Sequence, residues 1–284
     1  MTYDSVGEVD LRGENVSRAV KGYGDILYKL KQVCTIETSS MLTETYFKEA
    51  QAALTAGGNR NVNQIARGSL FPELIPTWEK TSGDHIKFGG QSVIFFEDGF
   101  DAINVQKRTY FKVAQAVASA VDSYIYAQLT AATSTSGVVA ASATWNNAVE
   151  SSRDSIGDIL IGIAAMEDNS YDVRGNGYLL LNPTDYSSLL RDDRVIKNPS
   201  FKTADVVSNG VVGQICSLNI IVSVNVTATE AMIVHKKAAT WKSAAPLTTY
   251  VRVEPGINVL IRAWEFAQIQ ITDPYGLYTI TGTA

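Results

Sequence analysis

Cysteine is nearly absent: Cys34 and Cys216 are the only two in 284 residues. Two thiols make no disulfide framework, and they suit a reducing compartment and buried positions. Histidine is equally scarce, with His85 and His235 lying 150 positions apart in different expected elements. No HxxH or HExxH spacing occurs, so neither a histidine metal centre nor a histidine-based triad is expected. Each histidine reads as a surface or hairpin residue. No nearby histidine accompanies either cysteine, which argues against a nucleophile. No Gly-Lys-Ser/Thr follows Gly89-Gly90 or Gly175-Asn176-Gly177, so neither is a phosphate loop. The longest apolar run, Leu218 to Val226, is broken by Asn219, Ser223 and Asn225 and reads as a strand rather than a membrane span. Met1 to Asp10 is polar and acidic, and no secretory leader is expected there. Positive charge is not in excess: the net charge of −5 excludes a polycation made to coat nucleic acid. Neither an internal repeat nor a flexible linker is found.

What is present is an ordinary globular composition, 45% hydrophobic and 19% charged, in a length that suits one large domain or two smaller ones. Its organising stretch is Asn104 to Leu129, which contains no Gly and no Pro. Tyr110, Val113, Val117, Ala120, Val121, Tyr124 and Ile125 recur at the spacing of one helical face. Lys107, Lys112, Gln115, Ser119 and Asp122 mostly fall elsewhere. The spacing predicts a helix roughly 40 Å long. Ahead of it, Met1 to Ser17 reads as an extended arm. Ser39 or Ser40 then caps a helix expected over Met41 to Leu54. Between residues 59 and 100 the pattern becomes β. Thr81-Ser82-Gly83-Asp84 has turn chemistry, His85 to Phe88 alternates, Gly89-Gly90 breaks the pattern, and Ser92 to Phe96 forms a second strand. Such a hairpin is marginal alone, yet it carries Trp78, Ile86, Phe88, Phe95 and Phe96 with little local cover. A neighbouring subunit would supply that cover.

After the long helix, Thr130 to Ala143 reads as a loop plus one short strand. Ser151 or Ser152 caps a helix over Arg153 to Glu167, with Ile156, Ile159, Leu160, Ile163 and Ala164 inward. Tyr178 to Leu181 is a buried strand. Asn182-Pro183 starts the next helix, with Asn at the cap and Pro at the first position. From Val211 the chain is mostly β, with strands expected at Leu218–Val224, Ala231–His235, Thr249–Val253, Asn258–Ala263, Ala267–Thr272 and Tyr278–Thr281. Carboxylates cluster at Glu97-Asp98-Asp101 and Asp192-Asp193. They read as caps and solvated turns more readily than as a cation site or an acid/base pair. Lys80 and Lys87 read as exposed hairpin lysines.

Two patterns then carry a resemblance. One is Tyr178-Leu-Leu-Leu-Asn182-Pro183-Thr-Asp-Tyr-Ser-Ser-Leu-Leu190-Arg-Asp-Asp193. The other is Gly213-Gln-Ile-Cys-Ser-Leu-Asn219-Ile-Ile-Val-Ser-Val224 followed by Ala231-Met-Ile-Val-His235. Together with the order of parts, they resemble the major capsid proteins of tailed viruses, those with the HK97-type fold, over roughly residues 58–284. The sequence departs from the family where Ser217-Leu218-Asn219 replaces a frequent proline.

The resemblance implies an α+β fold with five divisions. These are an N-terminal arm and first helix (1–57), an E-loop-like β-hairpin (58–100) and the spine helix of a peripheral domain (101–133). An axial domain (134–248) and closing strands (249–284) complete it. It implies a structural, non-enzymatic shell protein without cofactor. Copies would assemble into the hexamers and pentamers of an icosahedral or prolate head enclosing double-stranded DNA. Trp78, Ile86 and Phe88 of the E-loop would form the subunit interface, and Lys107, Arg108 and Lys112 would face the lumen and contact DNA without base readout. Their bland alternative is pairing with Glu97, Asp98 or Asp101. Separate scaffold, portal and cement proteins are admitted as partners, a membrane is not, and the protein would reside in the virion after assembly in the host cytoplasm. An encapsulin-like compartment is the alternative, and an α/β enzyme a more distant one.

Overall fold

The apolar period between Tyr110 and Leu129 does wind into one long helix, α1 (Val105–Ala132). The computed structural model describes residues 18–22, 28–49, 67–68, 78–97, 105–133, 137–192, 195 and 213–283. Tyr110, Val113, Val117, Val121, Ile125 and Leu129 form the buried face of α1, as expected, joined by Ala114 and Ala118. Two positions differ from the expected face. Ala120 points to solvent, and Asp122 is buried, accepting the backbone N–H groups of Lys29 and Leu30 at 3.0 and 3.1 Å. This carboxylate holds the first N–H groups of a single 3-10 turn (Leu30–Val33), whose Leu30 and Val33 sit in the core. Burial raises the Asp122 pKa.

Beneath α1 lies a four-stranded sheet in the order β1-β10-β11-β4. The strands are β1 (Thr35–Thr38), β4 (Ile86–Phe95), β10 (Ala239–Glu254) and β11 (Asn258–Ile271). The order mixes the two ends of the chain: β1 runs parallel to β10 with Thr35 opposite Thr240, and β4 runs antiparallel to β11. Two pairs of expected strands are in fact continuous. Gly89-Gly90 does not break β4, because pairing with Ala263 and Trp264 is a backbone matter. The expected strands at 258–263 and 267–272 are one strand, β11. The expected 249–253 strand is the outer part of β10, whose register shifts between Ser243 and Thr248, around the exposed Pro246.

A second sheet has the order β5-β12-β9-β6-β8-β7. It contains β5 (Val138–Ala140), β6 (Gly177–Leu181), β7 (Gln214–Ile215), β8 (Leu218–Val222), β9 (Glu230–His235) and β12 (Leu277–Thr281). Its central strands are apolar at every position because both faces are covered. Leu180, Met232 and Val234 join the core under α1. Leu179, Leu181, Ala231 and Ile233 face the other way, toward α2 (Ser155–Asp168). Gly162 lets α2 approach: a Cβ there would stand 2.8 Å from both Ile233 and Tyr278 side chains. The cap of α2 is Asp154, which accepts from Gly157 N, not Ser151 or Ser152. Leu160 and Ala164, expected inward, are exposed, since the buried stripe runs through Ile159, Ile163 and Met166. α3 (Pro183–Leu190) begins as expected, with Asn182 Oδ1 accepting from Thr184 N at 3.1 Å.

The largest correction concerns the expected helix over Met41 to Leu54. Thr43–Glu49 is a strand, β2, paired antiparallel with β3 (Trp78–Asp84) from Thr43↔Asp84 to Glu49↔Trp78. Residues 50–54 of that helix lie outside the described residues. Thr43, Thr45, Tyr46 and Phe47 are strand formers, and the ladder to β3 overrides the capping signal at Ser39. The expected turn at Thr81–Asp84 is therefore part of β3. β2 and β3 form a two-stranded ribbon of their own.

Candidate assembly interface

The ribbon springs from the four-stranded sheet at a short joint. His85, the single residue between β3 and β4, donates from its backbone N–H to Leu42 O at 2.9 Å, and its Nδ1–H shares the same carbonyl at 3.1 Å. Thr43 Oγ1 donates to Asp84 Oδ1 at 2.6 Å. Gln270 Nε2 reaches from β11 to Glu44 Oε2 at 3.0 Å, and Ser39 Oγ donates to the other Glu44 oxygen. The Ser39 hydroxyl is the main reason that the Glu44 carboxyl sits below the usual range. The joint is thus fixed by polar contacts, and His85 is buried there rather than on the surface.

Outward from the joint the ribbon is bare. Trp78 is 52% exposed and Phe47 60%. Ile86, first residue of β4, is also exposed, as are Phe95 and Phe96 at the strand's far end. Phe88 behaves differently from the expectation that placed it with Trp78 and Ile86. It is half-buried against its own chain, with ring centroids 5.2 Å from Tyr124 of α1 and 6.3 Å from Trp241 of β10. The four-stranded sheet supplies the cover for this ring.

The N-terminal part of α1 presents Lys107, Arg108 and Lys112 to solvent, beside the partly exposed Phe111. Among the described residues no carboxylate pairs with these three cations, and the first turn of α1 holds no acidic residue. Asp98 and Asp101 lie outside the described residues. Asp122, the one acidic residue of α1, is turned into the core. The exposed face of α1 therefore carries positive charge only.

The remaining titratable groups are occupied structurally. Asp192 is buried and accepts from the N–H and hydroxyl of Ser155, so it supports the start of α2 instead of a solvated turn. Asp158 accepts from Trp145 Nε1 at 2.9 Å and Ser142 N at 3.0 Å. Glu265, fully buried in β11, takes Lys31 Nζ at 2.6 Å, Tyr28 Oδ-equivalent phenol O–H at 2.6 Å and Trp241 Nε1 at 3.0 Å. Sequence reasoning missed this clasp, because its members are over 200 residues apart. His235 is buried too, not superficial. Burial lowers its pKa, and its Nδ1 accepts from Lys237 N at 3.3 Å. Burial pushes the Cys34 thiol up to about 12 and raises that of half-buried Cys216, so neither is a thiolate near neutrality. Among the described residues no group of three or more His, Cys, Asp or Glu could hold a metal ion, and no helix is long and apolar enough to cross a membrane.

A sequence family described as phage capsid protein matches residues 86–280. No curated protein matches the chain. Among solved structures, it is similar to the virus-like particle from Pyrococcus furiosus, with 13% identity, a TM-score of 0.61, and 94% of this chain and 98% of the other covered. It is also similar to the capsid of the cyanophage P-SCSP1u, with 14% identity, a TM-score of 0.62 and coverage of 89% and 88%. The capsid of a native GTA particle gives 11% identity, a TM-score of 0.63 and 90% of each chain. At these identities the structures share the fold.

Proposed function

Because the chain belongs to the phage capsid protein family and is a structural major capsid protein with an HK97-type fold, we propose that its copies form the hexamers and pentamers of an icosahedral or prolate head around double-stranded DNA. The observation that carries this reading is the bare ribbon. A two-stranded ribbon of seven-residue strands is marginal alone, and this one leaves Trp78 and Phe47 uncovered at its outer end. Large exposed apolar groups mark association sites. Trp78 and Ile86 are assigned to the contact between subunits. Phe88 is assigned to the subunit's own core.

The α1 face with Lys107, Arg108 and Lys112 is assigned to the lumen, where phosphates would meet the unpaired cations without base readout. The chain performs no catalysis in this reading, and scaffold, portal and cement functions belong to separate proteins. Assembly takes place in the host cytoplasm. The second reading is a compartment that encloses protein cargo, favoured by the likeness to the Pyrococcus furiosus virus-like particle. Electron microscopy of the purified protein, followed by analysis of what a nuclease-treated particle retains, tests both. Closed shells holding protected DNA support the head. Shells holding one protein and no DNA support the compartment. A well-folded monomer at high concentration, with a protease-resistant ribbon, overturns both.

A further inference from the structure

We propose that the groove under the Tyr28–Ser39 segment seats the Trp78 indole of a second copy of this chain. The inference rests on the shell reading and adds the receptor for the ribbon. A cavity of about 410 Å³ opens between this segment and the bent part of β10, walled by Tyr28, Lys31, Ile36, Ser39, Ser243 and Pro246. Its chemistry suits an indole in three ways. The wall is largely aliphatic and aromatic, and Ile36 at its mouth is 60% exposed. Lys31 Nζ stands in the wall 4.4 Å from the Tyr28 ring centroid and 5.6 Å from that of Trp241. A cation already desolvated among rings attracts a further π-face, that of tryptophan most strongly. Finally, Ser243 Oγ is buried and lacks a hydrogen-bond partner among the described residues. An indole N–H, which only donates, would meet it.

The chain's own Trp78 does not serve. It pairs with Glu49, six residues along the ribbon from Thr43 at the joint, a separation of about 20 Å at the rise of a strand. The cavity lies on the joint side, at Ser39. Knob and hole therefore occupy different places on one chain. Such a heterologous contact passes from copy to copy and closes into rings when the rotation allows.

Cross-linking tests the seat in assembled shells. In a Cys216→Ser background, Trp78→Cys combined with Ala244→Cys should give, on oxidation, a ladder of disulfide-linked multimers on a non-reducing gel. Either cysteine alone should leave monomer. Shells that form without the ladder overturn the seat while leaving the capsid reading intact. Failure of the parent protein to form shells overturns the capsid reading itself. Should the double variant fail to assemble, Ala244→Cys alone decides. Its thiol should react with a maleimide in free subunits and lose at least tenfold in labelling rate in shells, and an unchanged rate overturns the proposal. Trp78 offers a separate readout, since Trp145 and Trp241 are fully buried. Acrylamide should quench the parent's fluorescence much less in shells than in subunits. A Trp78→Phe variant should lose that difference, and retention of it would show that Trp78 stays in solvent.

Discussion

The six-stranded lobe and the β2–β3 ribbon are built to opposite rules. In the lobe, Leu179 to Leu181 and Ala231 to Val234 are buried on both sheet faces, between α1 and α2. In the ribbon, each strand pairs with the other only, and Trp78 and Phe47 face outward. The lobe completes its core within one chain. The ribbon fixes its joint with polar contacts and leaves its apolar groups for another surface. Folding and assembly are thus assigned to different residues, and substitutions should separate them.

The comparison is sharpest at the two aromatic positions first read as equivalent. Trp241→Ala, at the base of the Phe88 contact, should cost about 3–5 kcal/mol of subunit stability. Phe88→Asp should also unfold the subunit, by several kcal/mol, because it places a carboxylate against Tyr124 and Trp241. Urea denaturation of each variant checks this, and a stable Phe88→Asp subunit would erase the distinction between sheet and ribbon. Gly162→Ala should cost about 1–3 kcal/mol through the clash with Ile233 and Tyr278. A neutral result there would mean that α2 floats on its sheet.

A smaller effect is expected with pH. His235 has its pKa lowered by burial from the ordinary 6.5. Above 6.5 both folded and unfolded forms are neutral and stability is full. As pH falls from 6.5 toward the folded pKa, the unfolded chain takes the proton first and stability is lost, by at most about 1.4 kcal/mol per pH unit. His235→Asn should flatten this part of a stability–pH curve. Smallest for the subunit, within about 0.5 kcal/mol, should be Trp78→Asp and Ile86→Asp, with unchanged melting. Size-exclusion chromatography should nevertheless show that they fail to assemble. Normal shells from either variant would remove the ribbon from the interface.

How much of this was legible in the sequence follows from how local each signal is. α1, β6 and α3 were read well, since an apolar period and an Asn-Pro start are complete within a few turns. The ribbon was misread because Ser39 with Glu44 imitates a helix start, while the ladder that makes Thr43–Glu49 a strand lies more than thirty residues away. Phe88 was misassigned for the same reason: its cover, Trp241, is 153 positions distant. Glycines misled at β4, where strand pairing with β11 tolerates Gly89-Gly90. Of the interface residues, Trp78 and Ile86 are exposed as expected, and their place against a second subunit is a proposal. The cavity at Ser39 and Ser243 joins segments with no common sequence signal.

The strand orders also set a timetable. β1 waits for β10, β4 for β11, and β5 for β12, with Thr35 paired to Thr240 and Val138 to Thr279. Neither sheet can close until the last strand has left the ribosome. Contacts this distant make folding slow, and until then α1 has no sheet to lie on. The seat formed by the Tyr28–Ser39 segment and β10 comes into being at the same late moment. A nascent chain therefore cannot capture a finished neighbour's ribbon in that groove, and subunits become competent to join only when they are complete.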